Sequence, residues 1–389
     1  MELTRKQEEG LKIAVERYRE NKPYTCISGY AGTGKSTLVR FIIAALDIDP
    51  HDVAYIAFTG KAAQVLQQKG NPNAMTAHRL LYKSIRNPDG SYSHIPHESL
   101  PDYALIVVDE VSMLPKKMWD LLISHHIHVI ACGDPFQLPA VSGEDNEVLL
   151  HPHVFLEEIM RQAAESEIIR LSMDVREGRG ISLFKGEEVN VVPRNDLSEG
   201  MIQWADQLIC GKNATRFMLN DLCRKMKWGE DADLSAPKVG DKIICLKNDW
   251  DVVTGAGDAL VNGSIGELTK LKWEWDSVLS QVPKIGFNPE GMDLFSNLPI
   301  DWKMITQHEP YLTKENYSKT PWRKRKALSK LEQFDYGYAI TCWKAQGSEY
   351  NKVLFLAEKV GYMNKEEYAR YMYTGITRAS EKLTLVMGG

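Results

Sequence analysis

The chain has 389 residues, 43% hydrophobic and 25% charged, with a formal net charge of −5. That length predicts two or three domains, with cores large enough to need neither disulfide nor metal staples. The acidic balance speaks against one broad basic face but leaves room for a local basic groove. No two of the six cysteines form a C-x-x-C pair, so there is no zinc pattern, and they fit core residues of a reducing compartment. Residues 1–6 lack a secretory pattern and no apolar run has membrane-spanning length, so a cytoplasmic protein without membrane contact is expected.

Short apolar runs at 24–28, 53–58, 105–108 and 128–132 each end in a polar or glycine-bearing turn. Buried parallel strands read this way, and the spacers have room for crossover helices. The alternation predicts an open α/β sheet with its ligands at the carboxyl ends of the strands. Between 81 and 101 the pattern breaks, and Asp89-Gly90 signals a projecting hairpin. A helix is expected over 157–176 and a linker over 177–180. Strands at 207–210, 242–246, 352–357 and 382–387 then suggest a second α/β domain. Residues 265–333 mix short alternating runs with Pro, Gly and Trp and read as a β-rich insertion. The insertion ends near the basic run Trp322-Arg323-Lys324-Arg325-Lys326, which either binds nucleic acid or is a solvated face.

Gly29-Tyr30-Ala31-Gly32-Thr33-Gly34-Lys35-Ser36 fits G-x-x-x-x-G-K-[ST] in full, between an expected strand and an expected helix. Glycines let the backbone N–H groups turn inward onto phosphate oxygens, and the helix start adds its positive dipole end. Lys35 supplies a cation to the β- and γ-phosphates, and Ser36 is placed to ligate Mg²⁺. The strand 105–108 runs into Asp109-Glu110, a costly carboxylate pair unless it meets a cation. Asp109 is expected to hold Mg²⁺ through water and Glu110 to polarise the attacking water. At the next strand end, Gln137 is placed to sense the γ-phosphate.

In order and wording these motifs resemble superfamily 1 helicases, in the 1B branch of RecD-like and Dda-like DNA helicases. Leu3-Thr4-Arg5-Lys6-Gln7 looks like the Q motif, the P-loop like motif I, and Ala57-Phe58-Thr59-Gly60-Lys61-Ala62-Ala63 like motif Ia. Thr76-Ala77-His78-Arg79 is similar to the T-x-H segment. Asp109–Met113, Gly133–Pro139 and Met160-Arg161-Gln162 look like motifs II, III and IV. In the second half, Cys210–Arg216 and Val261–Gly266 are similar to the strand end and turn that open the second motor domain and precede its insertion. Tyr338–Glu349 resembles motif V and Tyr373–Ala379 motif VI. Trp343 stands where the family usually has histidine, and Phe58 where relatives often have proline.

The resemblance implies an α/β protein of two RecA-like P-loop NTPase domains, with a hairpin insertion in the first and an SH3-like insertion in the second. The first domain would span 1–180 with its hairpin near 81–101. The second would comprise 181–264 and 334–389, with the SH3-like unit at 265–333. ATP and Mg²⁺ would occupy the interdomain cleft. Gln7 would read adenine; Gly29, Ala31, Gly32, Thr33, Gly34, Lys35, Ser36 and Thr37, with Gly347 and Glu349, would surround the nucleotide. Arg161 and Arg378 would act as arginine fingers. Single-stranded DNA, in fork or tailed duplexes, would be gripped by Phe58, Thr59, Lys61, Thr76, His78, Asn262, Thr341, Trp343 and Lys344, with Tyr92 on the hairpin as a wedge. For Phe58 and Trp343 core packing remains the alternative to base stacking, for His78 a structural hydrogen bond, and for the hairpin a decorative role. Translocation 5′→3′ follows from the resemblance alone. An RNA helicase, a nucleotide-switched scaffold and a small-molecule kinase remain as other readings. The last leaves motifs V and VI unexplained.

Overall fold

The computed structural model describes residues 3–86, 92–139, 147–230, 233–254, 259–361 and 363–388. The first half is built on β1 (Tyr24–Gly29), β2 (Val53–Ala57), β3 (Ala74–Thr76), β4 (Tyr82–Arg86), β5 (Tyr92–Pro96), β6 (Leu105–Val108), β7 (Val129–Gly133) and β8 (Val154–Leu156). Six of these form a wholly parallel sheet in the order β3-β2-β6-β7-β1-β8. Its strands read as unbroken apolar runs because both faces are covered. Ile27, Leu105, Val107 and Ile130 pack with Ala14, Leu38 and Ile42, whereas Cys26, Ile56, Ile106 and Ala131 pack with Leu80, Met118 and Leu122. β4 and β5 pair separately as an antiparallel hairpin, from Tyr82↔Pro96 to Arg86↔Tyr92. Its Asp89-Gly90 turn lies outside the described residues, as does the side chain of Tyr92.

The second half adds β9 (Phe184–Lys185), β10 (Val189–Pro193), β11 (Gln207–Cys210), β12 (Lys242–Cys245), β13 (Asp249–Val253), β14 (Ala259–Leu260), β15 (Ile265–Asp276), β16 (Ser280–Pro289), β17 (Phe295–Pro299), β18 (Phe334–Tyr336), β19 (Ala339–Thr341), β20 (Tyr350–Ala357) and β21 (Ala379–Met387). A second sheet runs β19-β11-β20-β21-β10-β9, parallel except for the short edge strand β9. An antiparallel five-stranded sheet, β17-β16-β15-β12-β18, encloses Phe287, Phe295, Phe334 and Tyr336.

Three expectations need correction. The run at 242–246 is not a strand of the second parallel sheet. As β12 it pairs antiparallel with β15 and β18, so the inserted sheet extends beyond both limits of 265–333. Its alternation cannot say which sheet it joins. The helix over 157–176 is two helices, Arg161–Ala164 and Glu167–Arg176. The break is fixed by Glu188, whose carboxylate accepts from Ser166 Oγ (2.7 Å) and Glu167 N (2.8 Å). The helix Glu167–Arg176 also packs with the second core rather than the first. Ile168, Leu171 and Val175 form an i, i+3, i+7 stripe buried with Leu383, Leu385 and Tyr373. Among the described residues, no helix is long and apolar enough to cross a membrane.

Candidate nucleotide cleft and nucleic-acid groove

The carboxyl ends of β1, β6 and β7 meet residues 347–349 and 377–380 across a cleft of about 550 Å³. Its lining includes Ala31, Gly32, Gly34, Lys35, Ser36 and Thr37 of the P-loop. Gly32 (φ 76°) and Gly34 (φ 80°) take left-handed conformations that a side chain would strain, and the helix Lys35–Ala45 starts directly after Gly34. The Lys35 ammonium donates to the carbonyls of Gly29 (2.7 Å) and Tyr30 (3.0 Å).

Gly29, Thr33 and Gln7 shape the loop from behind instead of lining the cleft. Thr33 is buried and donates to Tyr30 O (2.8 Å). Gln7 is buried as well. Its Oε1 accepts from Thr4 N (3.0 Å) in a capping box, and its Nε2 donates to Thr33 O (3.2 Å). Both ends of the Gln7 amide thus make contacts within the protein beside the P-loop, and a capping residue is what T-x-x-Q also encodes.

Asp109 and Glu110 line the same cleft. Burial raises both carboxyls above their ordinary range, opposed by Lys35 at Asp109 and by Arg378 at Glu110. Glu110 has φ 53°, a left-handed backbone for a non-glycine residue, of the kind that clusters at functional sites. Gln137 donates from Nε2 to Glu110 Oε1 at 3.3 Å. The hydroxyl of Ser36 and the carboxylate of Asp109 are hard oxygen donors, a set that suits Mg²⁺ completed by phosphate and water.

Arg378 reaches the cleft from the second core. It is buried, and its guanidinium donates to Thr374 O (3.0 Å), Ser348 O (3.1 Å) and Thr377 Oγ1 (3.2 Å). Gly347 and Glu349 line the cleft beside it. Arg161 opens the helix Arg161–Ala164, next to Met160, whose N–H donates to Gly32 O (3.0 Å); the Arg161 side chain lies outside the described residues.

Sequence reasoning missed the residues that join the two cores here. The buried Tyr373 hydroxyl accepts from Ala31 N in the P-loop (2.8 Å) and donates to Asp134 Oδ2 (2.6 Å). Beside it, Leu138 N donates to Thr374 Oγ1 (2.9 Å) and Gln346 Nε2 to Leu138 O (2.6 Å). The available signal was Gly133-Asp134 at a strand end and a tyrosine in motif VI; neither reveals its partner.

A second cavity, of about 370 Å³, is lined by Phe58, Thr59, Lys61 and His78 from the first core and by Asn262, Trp343 and Lys344 from the second half. These were all expected at the nucleic-acid interface. Phe58 lies just past the end of β2, tilted towards His78 with ring centroids 6.0 Å apart. Lys344 Nζ donates to Asn262 Oδ1. Lys61 pairs with Glu290 at 3.7 Å and lies 4.3 Å from the Tyr350 ring. Burial lowers the pKa of both lysines. Thr59 and Thr341 cap the helices Gly60–Gln68 and Cys342–Ala345, accepting from Ala62 N (3.2 Å) and Lys344 N (3.4 Å). Thr76 likewise caps Ala77–Leu81, but it is buried and does not line the groove.

Residues 2–193 match the AAA domain family model, and residues 336–386 match that of the UvrD-like helicase C-terminal domain. The chain is 24% identical to the ATP-dependent DNA helicase Dda of Enterobacteria phage T4, over 97% of each chain. It is 25% identical to the ATP-dependent RecD2 DNA helicase of Deinococcus radiodurans, over 92% of this chain but 46% of that protein. The fold is similar to the Pif1 helicase from Bacteroides in complex with ADP-AlF3 and ssDNA. The TM-score is 0.54 and the identity 16%, covering 100% of this chain and 93% of the other. With its motifs in order and paired cores closing one cleft, the chain matches the AAA domain and UvrD-like helicase C-terminal families in its two halves and is similar over nearly its whole length to the Dda and RecD2 DNA helicases.

Proposed function

We propose that the chain is an ATP-dependent DNA helicase that translocates 5′→3′ on single-stranded DNA and separates the duplex of forked or tailed substrates. The observation that carries this is the single cleft into which one core places Lys35, Asp109, Glu110 and Gln137 and the other places Arg378. Lys35 and Arg378 bring positive charge from both cores to a transferring phosphoryl group. Glu110, made more basic by burial and hydrogen-bonded to Gln137, orients and polarises the attacking water. Ser36 and Asp109 would hold Mg²⁺, which when bound neutralises phosphate charge. Because Arg378 sits on the second core, it meets the nucleotide only while the cleft is closed, and this ties hydrolysis to domain motion.

Two RecA-like units serve as motor domains, flanked by the hairpin and the antiparallel insertion. The groove spans both. Its hydroxyl, amide and cationic groups suit sugar-phosphate, and Phe58 and Trp343 offer faces for stacking, so the grip is largely independent of sequence. The names of the relatives, both ATP-dependent DNA helicases, support DNA as the substrate. The test is steady-state ATP hydrolysis with and without single-stranded DNA, beside matched RNA and a Lys35→Ala variant. Stimulation by DNA, weak with RNA and absent in the variant, is expected. Fast hydrolysis indifferent to nucleic acid would overturn the reading.

A further inference from the structure

The basic segment of the insertion takes no part in the cleft or the groove. From Lys314 to Lys330 the chain has seven Lys or Arg against one acid, Glu315, in a protein of net charge −5. Part of it folds as the short helix Trp322–Leu328. Trp322 and Tyr317 are about half exposed, and Arg323, Lys324 and Lys330 face solvent. Each aromatic is paired with a cation: Arg325 lies 4.8 Å from the Tyr317 ring and Lys326 5.2 Å from the Trp322 ring. A solvated helix needs no exposed tryptophan. Cations interleaved with aromatic faces are the composition of a single-strand platform, where charge holds the backbone and rings receive bases.

Its position gives this composition a use. Lys247 Nζ donates to Ser329 O (3.3 Å), just past the end of the basic helix. The next residue, Asn248, lines the groove, and its Oδ1 accepts from Asn262 N (2.8 Å), while Asn262 Oδ1 accepts from Lys344. Three consecutive contacts therefore join the groove wall to the basic segment.

We propose that the face built from Tyr317, Trp322, Arg323, Lys324 and Lys330 is a second contact for single-stranded DNA, extending the groove onto the insertion. This rests on the reading of the groove as a strand-binding site. A strand short enough to fill only the groove does not feel the face, whereas a longer one does.

The experiment measures fluorescence anisotropy of labelled oligothymidylates of about 8 and about 20 nucleotides, one within and one beyond the roughly 4–16 nucleotides of single-strand sites. The full chain is compared with R323A/K324A and Trp322→Ala, each checked for an unchanged melting temperature. For R323A/K324A the affinity for the long strand is expected to fall roughly tenfold, and its log–log salt slope by about 1.4, from about 0.7 per phosphate contact. Affinity for the short strand should stay within twofold. Trp322→Ala should weaken only the long strand, with its salt slope intact. Equal effects on both lengths, or none on either, would overturn the proposal, and so would a loss confined to blunt duplex DNA. A wild-type chain that binds neither strand would instead remove the groove reading beneath it.

Discussion

Tyr373→Phe tests how the two cores are held together at the nucleotide. The substitution keeps the ring and removes only the hydroxyl that accepts from Ala31 N at 2.8 Å and donates to Asp134 at 2.6 Å. Both partners lie at the interface, and Asp134 keeps only Phe136 N, on its other oxygen, at 2.9 Å. A buried hydrogen bond left unmade costs about 1–3 kcal/mol, towards the upper end when a partner is charged. When the cores part, water replaces both bonds, so the loss falls on the closed form alone. Taking about 2 kcal/mol for the pair, the closed-to-open ratio falls roughly 30-fold. Steady-state ATP hydrolysis at saturating oligothymidylate should show kcat/KM for ATP down by that factor, while affinity for the strand without nucleotide is unchanged. Asp134→Asn should cause a similar loss, and the double variant should be little worse than either single one. A Tyr373→Phe protein within twofold of wild type, or strictly additive effects, would refute the bridge as a coupling element.

Arg378→Lys should lower DNA-stimulated kcat on the order of 10³-fold with nucleotide-free strand binding intact, read by hydrolysis and anisotropy together. Glu110→Gln should lower kcat by about 10²–10⁴-fold in the same hydrolysis assay without lowering the melting temperature, because the carboxyl it replaces is raised by burial. Glu332 is buried and its pKa is pushed up to about 8, with Lys247 at 3.9 Å only partly offsetting burial. The folded state therefore holds a proton that the unfolded chain releases, and stability is lost as pH rises from the ordinary glutamate value through about 8. Melting curves of Glu332→Gln from pH 5 to 9 should lack this decline, and curves parallel to wild type would contradict it. Trp343→Ala and Phe58→Ala should each weaken single-strand binding by roughly 5- to 100-fold if the ring stacks on a base. A change in melting temperature alone would assign either ring to core packing.

The P-loop, the acidic strand end and the strands that carry them were legible because each is local. A glycine pattern, a run of buried residues and the turn after it lie within a dozen positions. Gln7 shows where one local pattern carries two meanings: the T-x-x-Q spacing that resembles the Q motif also makes a capping box, and its amide braces Thr33. β12 shows where local reading fails. Its residues read as a strand, but whether Ile243 packs with Phe287 or with Leu354 depends on a chain reversal that alternation does not encode. The same holds for Tyr373 and Asp134, 239 positions apart in sequence and 2.6 Å apart in space. The helix Glu167–Arg176 was assigned to the wrong core because an apolar stripe states that a face is buried, not which sheet buries it.

Thr59 and Thr341 stand at similar points of the two cores, each the N-cap of the helix that follows a parallel strand. In both, Oγ1 accepts a backbone N–H, which leaves the hydroxyl proton free to be given away. Under the proposed function, one oxygen thus starts a helix and offers a donor to a passing phosphate. Serine preserves both roles, whereas valine abolishes both at once. Mutational drift therefore cannot loosen the backbone grip at these two positions without also unsettling the helices behind them. Tuning of strand affinity over evolutionary time would be channelled to positions that carry no such double duty, the rings at Phe58 and Trp343.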